Sequence, residues 1–291
     1  MERLLGKVAI LADMAIKSRL LGSGAGWRVS DVVCTSGPRD RPFEEEHGTV
    51  CIALVTDGSF QYRTLQGSSV MSPGSVLLGN AGAHYQCGHE HCTGDRCLSF
   101  HFAPQLFESI VAAVPDATRL RFREPRLPWL PQLLPLIAMA QSMRDETCDA
   151  DALEELAMSL AGAVCAAVTV SKSGSRGRAP SQRDERRVTS VLRRMEATPY
   201  DRHSLNALAQ QTAMSPFHLL RVFEQVVGVT PHQYLLRTRL RHAAIRLRRS
   251  GESIAAVAGD CGFSDLSTFN RQFRRVIGAT PSAYRARAAL S

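Results

Sequence analysis

The chain has 291 residues, 44% of them hydrophobic and 21% charged. That is long enough for two globular units and excludes a disordered or fibrous protein. Net charge is +8, but residues 183–291 carry 18 basic and 8 acidic side chains against 17 and 19 in residues 1–182, so a near-neutral half precedes a basic one, as in a sensor joined to a polyanion binder.

At the N-terminus, Asp13 and Lys17 interrupt the apolar residues and no small-residue cleavage site follows, which is not the layout of a secretory leader. No run approaches the ~18 apolar residues of a membrane span. The expectation is a cytoplasmic protein with no membrane partner. Its eight cysteines would then be thiols, metal ligands or redox sensors, not a disulfide framework.

From about Val29 to Phe102, short apolar runs alternate with turn residues. Val50–Val55 leads to Asp57-Gly58, a hairpin signal, and Phe60–Arg63 follows. Ser72-Pro73-Gly74 turns into Ser75–Leu78, and Arg96–Phe102 alternates again. Strands at this spacing suggest a small barrel or sandwich. Within them, Cys87, His89 and His91 would project from one face of an extended segment, and Cys97 could return from the next strand. Two thiolates and two imidazoles suit zinc or another thiophilic ion, with Cys92 and Asp95 as spare donors. A packed His pair with core cysteines, or a thiol sensor of oxidants or electrophiles, fits the same residues. Cys34, Cys51, Cys148, Cys165 and Cys261 read as packed thiols.

Residues 131–143 and 151–170 have helical spacing, the second through Leu153, Leu156, Leu160, Val164 and Val168. This apolar stripe could pack on its own barrel or on a second subunit. Residues 171–182, rich in Ser, Gly and Arg, read as a flexible linker. The expected organisation is a sensing and dimerisation domain over 1–170, this linker, and a DNA-binding domain over 183–291.

The basic half repeats itself at an offset of fifty: Ser215/Asp265, Arg221/Arg271, Phe223/Phe273, Gly228/Gly278, Thr230-Pro231/Thr280-Pro281 and Tyr234/Tyr284. Ser204 and Ser215 can cap two successive helices, Gly228 can end the second, and Thr230-Pro231 starts another. Ser253, Gly262, Ser264 or Asp265, Gly278 and Thr280-Pro281 repeat that grammar. Short helix, tight turn and second helix occur twice, the pattern of a helix-turn-helix. The outward faces of the second helices carry Phe217, His218, Leu220 and Arg221, then Leu266, Ser267, Asn270 and Arg271. Arg suits guanine, Asn suits adenine, and the apolar residues suit thymine methyls. Arg221 and Arg271 could equally hold phosphates or intradomain carboxylates. Between the units, Arg237, Arg239, Arg241, Arg246, Arg248 and Arg249 are candidate phosphate clamps.

Residues 204–287 resemble the DNA-binding domain of the AraC/XylS family of bacterial transcription regulators. The resemblance rests on Leu205–Ala209, Ser215–Leu219, Arg221–Phe223, Gly228–Pro231, Gly262–Ser264, Phe269–Phe273 and Gly278–Pro281. It implies an α+β chain: an N-terminal cupin-like β-barrel with two following helices, then an all-α domain of two helix-turn-helix subdomains bridged by a long helix. It also implies base-reading roles for Phe217, Leu220, Arg221, Leu266, Ser267 and Arg271, although Leu220 and Leu266 stand where the family often has polar residues. His47 and His84 match places where cupins put ligands. The partners implied are double-stranded promoter DNA, RNA polymerase, an effector and a second copy in a homodimer. The expected function is an effector-responsive regulator, an activator and not an enzyme. A cupin-type metalloenzyme holding iron through His89, His91 and a carboxylate is the alternative. Methyl transfer to a sacrificial cysteine finds no matching cysteine framework.

Overall fold

A computed structural model describes residues 16–89, 94–117, 121–144, 149–170 and 180–288. The first part is built from β1 (Ile16–Gly24), β2 (Trp27–Cys34), β3 (Phe43–Glu46), β4 (Val50–Gly58), β5 (Phe60–Thr64), β6 (Gly67–Met71), β7 (Val76–Gly79), β8 (His84–Gly88) and β9 (Asp95–Phe102). Helix α1 (Pro104–Ala113) and the two-residue strand β10 (Arg126–Leu127) follow. They form two antiparallel sheets, ordered β1-β2-β9-β4-β7-β10 and β3-β8-β5-β6. The sheets pack face to face, with Cys51, Val55, Leu77 and Cys97 meeting Phe60, Tyr62, Met71 and Cys87 in one core.

Strand β4 is buried from Val50 to Thr56 because both its faces are covered. Cys51, Ala53 and Val55 face the second sheet, while Ile52 and Leu54 face helices. The Asp57-Gly58 signal marks a turn, but not a hairpin. Strand β4 pairs with β7 and β9, and β5 pairs with β6 and β8, so the chain changes sheets there. Gly58 has φ 70°, and a Cβ on it would lie 2.2 Å from the Gly94 carbonyl oxygen, which explains the glycine.

Helix α2 (Leu134–Arg144) follows a short 3-10 turn at Pro131–Leu133, and α3 is Ala150–Val170. By length and composition α3 is apolar enough to cross a bilayer, more so than the sequence reading allowed. Leu153, Leu156, Leu160 and Val164 are buried in the core of the β-rich part, and the helix packs on β1, α1 and α2. The apolar stripe thus covers its own sheets.

The helical part contains α4 (Gln182–Ala197), α5 (Leu205–Gln211), α6 (Pro216–Val227), α7 (Pro231–Arg249), α8 (Ile254–Asp260), α9 (Leu266–Ile277) and α10 (Pro281–Ala288). The capping residues act where the sequence placed them. Ser204, Ser215, Ser253 and Asp265 accept hydrogen bonds from the first-turn amides of α5, α6, α8 and α9. Thr230 and Gln233 close a reciprocal capping box on α7. Gly228 and Gly278 end α6 and α9 in the left-handed region, at φ 87° and 84°.

The two units differ in their turns. In the first, Met214 N bonds Ala209 O and Ala213 sits at φ 49°; in the second, Phe263 N bonds Ala258 O and Gly262 sits at φ 80°. The second turn carries one residue more before its N-cap. Ala213 is held where an L-residue is strained by about 1–2 kcal/mol. Ala213→Gly is therefore expected to raise stability by about 0.5–1 kcal/mol after the entropy that glycine adds to the unfolded chain. A urea melt checks this; a lower midpoint contradicts it.

The core of the helical part continues into the preceding segments. Val70, Trp129, Leu134 and Ala138 share one cluster with Leu219, Phe223, Tyr234 and Phe269. Arg126 Nη1 donates both to Val70 O, at 3.1 Å, and to Val226 O on α6, at 2.6 Å. Strand β6 and helix α6 are thereby tied through one half-buried guanidinium.

Candidate nucleic-acid interface

Each of α6 and α9 turns one face inward and one outward. Leu219, Val222, Phe223, Val226 and Val227 are buried on α6, as are Phe269, Phe273 and Ile277 on α9. Most of the remaining positions lie toward solvent because the helical period brings them to the other side. Phe217 is 76% exposed and Leu266 41%; both lie in the first turn of their helices, where recognition helices meet base edges. Arg221, Ser267, Asn270 and Arg271 are exposed as well. On α9, Asn270, Arg271, Arg274 and Arg275 line an open groove with Thr280, a cationic surface beside the apolar Leu266.

Two outward-face residues are less available than their spacing implied. His218 is half-buried, with Nε2 3.7 Å from Asp184 Oδ1 on α4. Leu220 is also half-buried. Helix α4 itself was not read from the sequence, although Ser181 caps it and Val188, Val191, Leu192 and Met195 bury one face; that amphipathic stripe was the available signal.

Five of the six α7 arginines read as phosphate clamps, Arg237, Arg239, Arg241, Arg246 and Arg249, are engaged by protein partners. Arg239 donates to Pro199 O, Asp201 O and Gly262 O. Arg237 donates to Trp129 O, and Arg249 donates to Gln141 O and Ser142 O near the C-terminal end of α2, where helix carbonyls lack internal partners. Arg246 pairs with Glu252 and Asp260. Arg241 is 2% exposed, lies 3.9 Å from Glu196 and stacks 5.6 Å from the Trp129 ring centre. A guanidinium with five donors suits carbonyl ends as well as phosphates, and tertiary packing decided which it met.

Between the two sheets lies a cavity of about 230 Å³, lined by Cys34, Cys51, Cys87, Cys97, His47 and His101 among others. Burial, then the nearby Asp95 charge, pushes the Cys87 and Cys97 thiols well above the usual range. Cys51 is pushed up to about 11, mainly by burial. Burial pulls His47 and His101 down to about 4. Of the residues grouped by sequence as metal ligands, Cys87 and Cys97 both line this cavity. His89 meets Asp95, Nε2 to Oδ1 at 2.5 Å, and Cys34 from β2, not the Cys87 and Cys97 thiols. His91 lies outside the described residues, as do Cys92, Cys148 and residues 171–179 of the linker. His47 is engaged by Tyr62, Nε2 to the hydroxyl at 2.7 Å, and stacks on Tyr85. His84 is exposed beside Glu46.

A family model described as a helix-turn-helix domain matches residues 208–287, which span α5 to α10. These residues form an AraC-type helix-turn-helix domain. The HTH-type transcriptional regulator Rv1931c of Mycobacterium tuberculosis is 40% identical over 83 residues, 28% of this chain and 32% of that one. The HTH-type transcriptional activator RhaS of Pectobacterium atrosepticum is 41% identical over 78 residues, 27% and 28% of the two chains. The chain thus spans about a third of the length of the curated relatives it matches. Among solved structures, the DNA-binding domain of AdpA in complex with a target DNA aligns at 30% identity and TM-score 0.34, covering 35% of this chain and 93% of that one. ToxT from Vibrio cholerae aligns at 12% identity and TM-score 0.39, covering 91% and 98%.

Proposed function

We propose that this protein is a sequence-specific transcription regulator. Helices α6 and α9 enter successive major-groove segments of promoter DNA, and the β-rich part binds an effector that alters promoter affinity. The observation that carries this reading is the repeated outward face. Phe217 and Arg221, then Leu266, Asn270 and Arg271, stand exposed on two helices anchored by the same type of cap and closed by the same left-handed glycine. Arg221 and Arg271 supply guanine contacts, Asn270 an adenine contact, and Phe217 and Leu266 thymine-methyl contacts.

An effector can shift DNA affinity only by binding two states unequally, so what it touches must be coupled to α6 or α9. Arg126, bonded to both β6 and α6, supports such a coupling. On this reading the protein acts as an activator, as a homodimer that contacts RNA polymerase. Selection from a random duplex pool with the purified chain tests the proposal. The expected result is an enriched site with two short conserved segments about 10–10.5 bp apart. Recovery of unenriched sequence after repeated rounds contradicts it.

A further inference from the structure

We propose that Cys34, His89 and Asp95 form a binding site for a divalent thiophilic cation such as zinc, with one coordination position open to the cavity between the sheets. The site stands independently of the DNA-binding reading. Cys34 and Asp95 are register partners on the antiparallel strands β2 and β9, so their side chains leave the sheet side by side. His89 follows β8 in the opposite sheet and reaches across. One donor atom from each residue lies within 4.8 Å of the others. Ligands of a tetrahedral zinc at about 2.0–2.3 Å from the metal stand about 3.3–3.8 Å apart, so His89 Nε2 and Asp95 Oδ1, now hydrogen-bonded at 2.5 Å, must separate by about 1 Å while the remaining distances, all within 4.8 Å, close by about 1 Å at most.

Chemistry and charge both fit. A thiolate, an imidazole and a carboxylate are three ligand types that zinc accepts. Cys34 is 5% and His89 4% exposed, and the Asp95 side chain is 8% exposed. Burying two anions in that interior is unfavourable unless they are compensated. A divalent cation with one thiolate, one carboxylate and a neutral imidazole leaves the site with no net charge. Both anionic donors already have outer partners that fix them. Cys97 Sγ lies 3.4 Å from Asp95 Oδ2 and donates to it, and Ser36 bonds Cys34. Outer-shell partners of this kind orient metal ligands. Cys34 and Asp95 both line the cavity, so three protein ligands leave a fourth position facing that space. This is the arrangement in which a metal takes water or a ligand atom.

The test is a cobalt titration of the full chain, reduced with a non-coordinating phosphine and stripped of metal by a chelator. The expected result is one equivalent of Co²⁺ bound with a thiolate-to-cobalt charge-transfer band and visible tetrahedral bands, displaced by zinc. Cys34→Ser removes the charge-transfer band and weakens zinc binding by more than the roughly 10–100-fold typical of losing an outer-shell partner. His89→Gln weakens zinc to a similar degree, which gives a second reading if one variant folds poorly by circular dichroism. Cys165→Ser, in α3, changes neither. Absence of the band in the parent protein overturns the proposal. So does a band that survives Cys34→Ser, or one removed by Cys87→Ser alone.

Discussion

Trp129→Ala is expected to lower the free energy of unfolding by about 3–5 kcal/mol, the range for truncating a large buried aromatic. Trp129 precedes α2, yet its indole is 2% exposed and belongs to the core of the helical part. The ring lies 5.5 Å from Tyr234 and 5.6 Å from the Arg241 guanidinium. Its Nε1 donates to Pro73 O at 2.5 Å. Truncation therefore opens a cavity, leaves Pro73 O without that donor and removes the aromatic face from a buried arginine. Gly74 shows how tight the fit is: at φ 90°, a Cβ there would fall 1.7 Å from an indole carbon. Urea unfolding followed by circular dichroism measures the effect. A loss below about 0.5 kcal/mol, the scale of an ordinary surface substitution, would show that Trp129 does not join the two parts as described.

Arg271→Ala is expected to cost about 1–3 kcal/mol of discrimination between the selected site and a site altered in one segment, the worth of one good bidentate base contact. Affinity for random duplex should fall far less, with the salt slope changing by about one counterion at most. Arg239→Ala is the informative contrast. Its three carbonyl partners lie in the loop before α5 and in the turn before α9, so its loss should destabilise the fold and leave base preference unchanged. Binding titrations on both duplexes at two salt concentrations separate the two outcomes. Equal losses on selected and random DNA for Arg271→Ala would count against base reading.

Much of the helical part was legible because its signals are local. A serine, threonine or aspartate before a helix and a glycine after it act within a few residues, and they do so here at Ser204, Ser215, Thr230, Ser253, Asp265, Gly228 and Gly278. The inward faces of α6 and α9 followed from helical period alone, whereas the outward face lost part of His218 and Leu220 to packing, His218 beside Asp184 of α4. What depended on distant partners was not legible. Strand β1 is a mostly exposed edge strand with little apolar alternation, so nothing marked it. Several arginines of α7 are committed to distant partners: Arg239 to carbonyls in the loop before α5 and the turn before α9, Arg249 to carbonyls of α2, and Arg246 to the carboxylates of Glu252 and Asp260. Cys34 meets Asp95 through the β2 and β9 register, and His89 joins them from beyond β8 in the other sheet, across more than fifty residues of sequence from Cys34. Local spacing around His89 pointed instead to Cys87 and Cys97, whose thiols are buried in the core between the sheets.

Hydroxyl-radical footprinting of the full chain on its selected duplex tests the central claim most directly. Two helices reading one face of the double helix should protect two segments centred about 10–10.5 bp apart. Arg221→Ala should weaken one segment and Arg271→Ala the other. A single protected segment, or both variants weakening the same one, would contradict the account.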